Sequence, residues 1–120
     1  MEVELIKTFR FDAAHSLLHL PEGHKCRNMH GHGYRIDIRV TGEVQPETGW
    51  LIDFGDLKDV VQPVIDTLDH SNLDEIPGLE VSTSEMLAKY MWDIIKPGLP
   101  QMTAIEVWES ASSRCIYRGK

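Results

Sequence analysis

The stretch His30-Gly-His-Gly-Tyr-Arg-Ile-Asp-Ile-Arg-Val40 decides the fold, because its side chains alternate strictly between two kinds. The even positions carry ring-bearing or aliphatic side chains: His30, His32, Tyr34, Ile36, Ile38 and Val40. The odd positions from Arg35 onward are polar. A period of two is typical of a β-strand with one buried face. The stretch therefore predicts a strand whose first two histidines project from the same face.

The flanking sequence predicts the other elements. Residues 3–11 alternate with a period near two, which predicts a strand, as do residues 102–109 and 113–118. Asp53 is placed to cap a helix with apolar side chains at helical spacing, and the capping box Ser82-Thr-Ser-Glu85 opens a second helix. The order ββααββ predicts an α+β fold: a four-stranded antiparallel sheet with two helices on one face.

Length and composition indicate an ordinary globular protein. A chain of 120 residues, 42% hydrophobic and 26% charged, is expected to form a single domain over residues 1–120. The net charge of −7 and the absence of a cluster of basic residues argue against nucleic acid as a partner. No stretch has the length or hydropathy of a membrane span or leader, so we expect a cytoplasmic protein that does not bind a membrane.

The predicted sheet has two edges, and an uncovered edge strand is a template for pairing with another chain. Self-association into a larger sheet or barrel satisfies those edges. We therefore expect a homo-oligomer.

Three histidines are candidate metal ligands. His30 and His32 lie on one strand face, and His15 reaches the same point if the first two strands form a hairpin. Three imidazoles leave a fourth position for water or substrate, which is typical of catalytic zinc. The alternative is that they are ordinary strand and surface histidines.

Cys26 lies four residues before His30, where a nearby cation would favour its thiolate. It is a candidate nucleophile, base or fourth metal ligand, and the alternative is a small buried apolar side chain. Asp69 and His70 follow the first helix and can form part of a proton relay with Cys26. Their alternative is a solvated carboxylate beside a histidine that is stabilised by the helix dipole.

Glu109 lies at the end of a hydrophobic strand, where its carboxylate can accept hydrogen bonds from a flat ring that carries N–H groups. The alternative is a strand-end residue that faces water.

Several motifs together resemble the 6-pyruvoyltetrahydropterin synthase family. They are Phe9-Arg-Phe-Asp-Ala-Ala-His15, Cys26-Arg-Asn-Met-His30-Gly-His32, Gly49-Trp-Leu-Ile-Asp53-Phe54, Leu68-Asp-His70 and Ser82-Thr-Ser-Glu85. The three residues between the cysteine and His-Gly-His are similar to the branch that forms 6-carboxy-5,6,7,8-tetrahydropterin for queuosine and other 7-deazapurines, as is the ending Glu109-Ser-Ala-Ser-Ser-Arg-Cys-Ile-Tyr117. The chain departs from the family pattern at Val81-Ser82, where relatives often have Asn-Pro, and at Asp74, where Asn is common.

The resemblance implies a tunnelling fold (T-fold), in which the sheets of neighbouring subunits join in a barrel. It also implies a hexamer made as a dimer of trimers, with active sites at subunit interfaces. On that arrangement Asp69 and His70 would serve a Cys26 of another chain.

The resemblance also implies a zinc-dependent carbon–carbon lyase. Its substrate would be 7,8-dihydroneopterin triphosphate, and its products 6-carboxy-5,6,7,8-tetrahydropterin, acetaldehyde and triphosphate. Cys26 would move protons with Asp69 and His70, and Glu109 would anchor the pterin, with added hydrogen bonds from Thr83 and Ser84.

Three alternatives stay open at the level of sequence. A sister activity would form 6-pyruvoyltetrahydropterin without cleaving the side chain. A non-catalytic zinc- or pterin-binding module would use Cys26 only structurally. A purely structural zinc site would need Cys26 as its fourth ligand.

Overall fold

A computed structural model describes residues 1–120 and contains one five-stranded sheet and two α-helices. The strands are β1 (Glu2–His15), β2 (His30–Glu43), β3 (Ser71–Asn72), β4 (Met102–Ser110) and β5 (Ser113–Tyr117). The helices are α1 (Phe54–Leu68) and α2 (Ser84–Ile95). The strand order is β3-β1-β2-β4-β5, so the prediction of an α+β fold with two helices is confirmed. Neither helix is long and apolar enough to cross a membrane.

The prediction of a purely antiparallel sheet of four strands is wrong, because β3 adds a fifth strand at the edge. It runs parallel to β1, with Ser71 opposite Ala13 and Asn72 opposite Ala14. A strand of two residues is too short to show any alternation in the sequence. Its effect is to hold the end of α1 beside the last residues of β1.

The hairpin of β1 and β2 is the longest unit of the sheet. Its register runs without interruption from the pair Glu2 and Glu43 to the pair His15 and His30. The even positions of β2 from Tyr34 to Val40 face the core and are at most 1% exposed. The helices cover this face, and the buried sides of α1 and α2 join the sheet in one cluster of 24 buried residues. The alternation that predicts β2 therefore also identifies the face on which the helices pack.

The two helix starts differ in how well the sequence predicts them. Asp53 caps α1 as predicted, accepting a hydrogen bond from Gly55 N at 3.1 Å. The cap of α2 is Thr83, which accepts from Met86 N at 3.3 Å, so the predicted capping box that begins at Ser82 is wrong by one residue. Ser82 is fully buried, and its hydroxyl donates to Asp74 at 2.6 Å. The hydroxyl of Ser82 therefore does not cap the helix.

Replacing Leu87 with Ala is expected to lower the free energy of unfolding by about 2–5 kcal/mol, because Leu87 is fully buried and its removal leaves a cavity. Urea denaturation measures this change. Met86→Ala is the matched control on the same helix, since Met86 is 41% exposed, and its cost is expected to stay within about 0.5 kcal/mol. Equal costs for the two variants would contradict this description of the core.

The opposite face of the sheet carries buried charges. Asp37 is 3% exposed, and Glu106, directly opposite it on β4, is fully buried. Arg39 and Arg114 pair with Glu106, while Arg35 pairs with Asp37 at 2.9 Å. The arginines compensate two like charges that would repel each other across the strands.

The stability of the protein is expected to fall in acid partly through Asp37. Burial tends to raise the pKa of Asp37, but hydrogen bonds from Arg35, Thr8 and Trp108 outweigh burial and hold the pKa below its usual value of 3.8. A lowered pKa in the folded state gives stability that is complete above the ordinary pKa and is lost as the pH falls through the folded one. The free energy of unfolding of the wild type should exceed that of Asp37→Asn at neutral pH, and this excess should shrink between about pH 5 and 3.

Urea denaturation at a series of pH values measures this difference. Asp59→Asn, on the exposed side of α1, is the control and should keep the acid sensitivity of the wild type. If the free energies of unfolding of the wild type and Asp37→Asn differ by a constant amount over this pH range, the role given to Asp37 is contradicted.

Candidate active site

Three imidazoles meet where the β1–β2 hairpin ends. His15 is the last residue of β1 and pairs in register with His30, the first residue of β2, while His32 lies two residues further on the same face. The ring centroids are 4.5 Å apart for His15 and His30, 4.9 Å for His30 and His32, and 5.1 Å for His15 and His32. One ligand atom from each ring lies within 4.8 Å of the other two. The hairpin geometry thus brings together the three histidines that the sequence singled out.

Hydrogen bonds orient two of these rings. His15 Nδ1 donates to the carbonyl of Ser82 at 2.9 Å, and His30 Nδ1 donates to the carbonyl of Asn28 at 2.7 Å, because a carbonyl oxygen can only accept. Each ring is left with Nε2 as its unprotonated nitrogen when the imidazole is neutral. His15 Nε2 is buried and has no hydrogen-bond partner, which is a costly state for a polar atom. A metal ion bound by the three rings would satisfy it, so the residues present fit such a group.

The charge state of His32 also suits metal binding. Burial lowers the pKa of His32, the carboxylate of Glu109 opposes that effect, and His15 and His30 lower the pKa further. The net shift is downward. Neutral imidazole is therefore the favoured form at neutral pH, and it is the form that binds metal ions.

A cavity of about 420 Å³ opens beside the three rings. Cys26, Lys25 and Glu109 line it together with the histidines. Cys26 lies in the short 3₁₀ turn Lys25–Arg27, is partly exposed, and forms no disulfide. The structure thus places five of the predicted site residues around one space, whose size is in the range of small-molecule sites.

The loop that carries Cys26 is held by hydrogen bonds on both sides. Arg27 donates to the carbonyls of Leu18 and Leu20 at 2.6 and 2.7 Å, and Leu17 N donates to Cys26 O at 2.8 Å. The guanidinium of Arg27 is therefore used to hold the loop. Lys25 forms no ion pair and is the cationic side chain that lines the cavity.

The predicted relay residues Asp69 and His70 do not line the cavity that contains Cys26. His70 lines a space of about 490 Å³ together with Asp12 and His32, and Cys26 is not part of its wall. Asp69 caps the C-terminus of α1, and its carboxylate lies 3.1 Å from His70 Nδ1. Within one chain the structure therefore forms the Asp69–His70 pair but does not place it in the cavity of Cys26.

The backbone around this pair is strained and firmly held. His70 has φ of +56°, an unusual conformation for a residue with a side chain. Its N–H donates to Asp12 O at 2.6 Å, while Asp12 N donates to Asp69 Oδ1 at 3.0 Å. That second bond is the main reason why the pKa of Asp69 is lowered. Strain that is held in place in this way is common at functional sites.

Thr83 and Ser84 are engaged at the start of α2. Thr83 caps the helix, and the hydroxyl of Ser84 donates to Glu85 at 2.8 Å. Neither residue lines the cavity beside the three histidines. Their role in binding a ring stays a prediction.

Sequence reasoning missed three residues that contact or surround the histidines. Asp74 and Ser82, which both lie at positions where the chain departs from the family pattern, are hydrogen-bonded to each other, and Ser82 contacts His15. Tyr34 is 1% exposed, its ring lies 5.5 Å from that of His32, and its hydroxyl has no partner. Burial, followed by the charges of Glu109 and Asp74, raises its pKa well above the usual value. For Asp74 and Ser82, the departure from the family pattern was the sequence signal that could have indicated their contacts near His15.

The fold and the site define a class of α+β proteins with a three-histidine cluster where a long hairpin opens onto a small-molecule cavity. The chain belongs to the 6-pyruvoyl tetrahydropterin synthase family, whose sequence model matches residues 4–120. It is 37% identical to the 6-carboxy-5,6,7,8-tetrahydropterin synthase of Synechocystis, over 94% of this chain and 91% of that protein. It is 36% identical to the human 6-pyruvoyl tetrahydrobiopterin synthase, over 80% of this chain and 72% of the human protein.

A solved structure agrees with the same assignment. The 6-pyruvoyl tetrahydropterin synthase of Caenorhabditis elegans superposes with a TM-score of 0.92 at 31% identity, covering 100% of this chain and 97% of the other.

Proposed function

We propose that the protein is a zinc-dependent lyase that converts 7,8-dihydroneopterin triphosphate and water to 6-carboxy-5,6,7,8-tetrahydropterin, acetaldehyde and triphosphate. The observation that carries this proposal is the single cavity lined by three imidazoles, a free thiol and a carboxylate. The near full-length match to the Synechocystis 6-carboxytetrahydropterin synthase supports the carboxy-forming reaction. Its product would serve queuosine and other 7-deazapurine synthesis in the cytoplasm.

The three histidines would hold zinc. Bound zinc supplies Lewis acidity toward the hydroxyls of the substrate side chain. His15 and His30 are already oriented by their Nδ1 hydrogen bonds, so little reorganisation is needed for their Nε2 atoms to bind.

Cys26 would carry protons to and from the carbons of the substrate side chain. Its thiol lines the same cavity as the histidines, and the hydrogen bonds around its loop limit its motion. A bound cation beside it would favour the thiolate, the form that can accept a proton.

Glu109 and Lys25 would hold the two ends of the substrate. The carboxylate of Glu109 can accept hydrogen bonds from the ring N–H and amino group of a pterin. Lys25 places a positive charge in the same cavity, which suits the triphosphate. Thr83 and Ser84 would add hydrogen bonds to the ring after rearrangement of the start of α2.

Asp69 and His70 would act on Cys26 of a neighbouring subunit. The pair is formed and held within one chain, but it lines another cavity than Cys26 does. Strand β5 forms an exposed edge of the sheet that is available for pairing with another copy. A homohexamer built as a dimer of trimers would bring the pair and the thiol together across an interface.

The second candidate is the sister activity that forms 6-pyruvoyltetrahydropterin. It is favoured by the similarity to the human synthase and to the solved structure from C. elegans. Both activities would use the same metal ligands and thiol, and they differ in whether the carbon side chain is cleaved.

The release of triphosphate from 7,8-dihydroneopterin triphosphate tests whether the site is catalytic at all. Zinc-loaded protein should release triphosphate over many turnovers, protein stripped of metal by a chelator should not, and added zinc should restore the activity. Substrate binding without any release in the zinc-loaded protein would contradict the proposal and leave a non-catalytic binding module.

A further inference from the structure

Asp74 connects three segments that surround His15. Its Oδ2 accepts hydrogen bonds from the backbone N–H and the hydroxyl of Ser16 at 2.7 and 2.9 Å. Its Oδ1 lies 2.6 Å from the hydroxyl of Ser82. The carboxylate thus joins the residue after His15 to the residue that contacts the ring of His15.

The direction of each hydrogen bond in this chain follows from the groups involved. Burial would raise the pKa of Asp74, but the bonds from Ser82 and Ser16 outweigh it and hold the pKa below its usual value, so the group is an acceptor-only carboxylate. Ser82 must therefore donate its one hydroxyl proton to Asp74. The oxygen that Ser82 presents to His15 Nδ1 at 3.2 Å is then free only to accept.

We propose that Asp74, acting through the hydroxyl of Ser82, holds His15 in the tautomer that is protonated on Nδ1 and thereby strengthens Nε2 as a metal ligand. The inference rests on the proposed metal site. Asp74 and Ser82 are positioning residues, since neither lines the cavity beside the three histidines. The carbonyl of Ser82 also accepts from His15 Nδ1, so the hydroxyl must not compete by donating to the same nitrogen. The carboxylate of Asp74 excludes that competition.

Asp74→Asn reverses the direction of the hydrogen bond between position 74 and the hydroxyl of Ser82, with little change in side-chain shape. The N–H of Ser16 can only donate, so the amide oxygen of the new Asn would face Ser16 and the amide NH₂ would face Ser82. The hydroxyl of Ser82 would then be free to donate to His15 Nδ1, which favours protonation on Nε2, the nitrogen that must bind the metal. The harm done by Asp74→Asn should therefore depend on the hydroxyl at position 82.

A double-mutant cycle on zinc affinity tests this dependence. Zinc dissociation constants are measured by competition with a chromogenic chelator for the wild type, Asp74→Asn, Ser82→Ala and the double variant. Asp74→Asn should bind zinc about 10-fold more weakly. Ser82→Ala keeps the carbonyl acceptor and removes the competing hydroxyl, so its zinc affinity should stay within about threefold of the wild type, and the double variant should match Ser82→Ala. Additive losses, or an Asp74→Asn variant that binds like the wild type, would overturn the proposal.

Ser16→Ala is the matched control, because it removes a hydroxyl from the same carboxylate on the side away from Ser82. Its zinc affinity should stay within about threefold of the wild type. A loss as large as that of Asp74→Asn would mean that Asp74 acts only by holding the chain segments together, and it would overturn the assigned role.

A second measurement does not depend on zinc or turnover. Long-range ¹H–¹⁵N correlation spectra of the metal-free protein report which nitrogen of His15 is protonated. The proposal requires Nδ1 protonation in the wild type and an increased Nε2-protonated fraction in Asp74→Asn. Nε2 protonation in the wild type would overturn it. If no variant binds zinc, the proposed metal centre fails, and the spectra still decide what Asp74 does to the ring.

Discussion

Replacing Cys26 with Ala is expected to reduce turnover of 7,8-dihydroneopterin triphosphate by about 10³-fold or more, with zinc still bound. The thiol would move the protons of the reaction, and positioned acid–base groups contribute about 10²–10⁴-fold to rates. The three imidazoles lie together independently of the thiol, so the metal content should not change. Steady-state kinetics and metal analysis of the same preparation measure the two effects.

Cys115→Ala is the control for this variant. Cys115 is half-buried against the core on β5, and its burial raises the pKa of its thiol, so it is suited to packing. Its removal should leave turnover nearly unchanged. If Cys26→Ala retained full turnover, the thiol would have no catalytic role, and if it released zinc, Cys26 would be a fourth ligand of a structural site.

Replacing His32 with Ala is expected to weaken zinc binding by about 10²-fold or more. Structural zinc sites bind with about 10–16 kcal/mol, so the loss of one of three protein ligands removes several kcal/mol of binding free energy. Turnover should fall with the zinc content and return only partly at high zinc concentration. Chelator competition measures the affinity, and metal analysis measures the content.

His19→Ala is the control, because His19 is exposed and lies outside the cluster. It should bind zinc like the wild type. Full zinc binding by His32→Ala would contradict the assignment of the three histidines as the metal ligands.

The long hairpin and the histidine cluster could be predicted from sequence for the same physical reason. Alternation along β2 identifies its buried face and places His30 and His32 on that face. Once β1 pairs with β2 as a hairpin, His15 at the end of β1 lies opposite His30 at the start of β2. Local periodicity carries this information because the side-chain period of a strand is fixed by its geometry.

Contacts between segments that are distant in sequence could not be predicted in this way. Strand β3 has only two residues, and its pairing with β1 depends on how α1 returns to the sheet. Ser82 has the sequence pattern of a helix cap, yet tertiary contacts with Asp74 and His15 engage it elsewhere. Local propensity was overridden in both places by hydrogen bonds that exist only in the folded chain.

The relation between Cys26 and the Asp69–His70 pair shows a different limit. Sequence proximity to a helix end predicts that the pair exists, and the structure of one chain contains it. Under the proposed function, the thiol that the pair would serve depends on how copies of the chain would assemble, and neither the periodicity of one chain nor its internal contacts determines such an arrangement.

The most direct test of the central claim is to identify the products that zinc-loaded protein makes from 7,8-dihydroneopterin triphosphate. Mass spectrometry identifies the pterin, and an enzymatic assay measures acetaldehyde. The expected products are 6-carboxy-5,6,7,8-tetrahydropterin and acetaldehyde in equal amounts. A 6-pyruvoyl product without acetaldehyde would contradict the carboxy-forming reaction and assign the sister activity to this site.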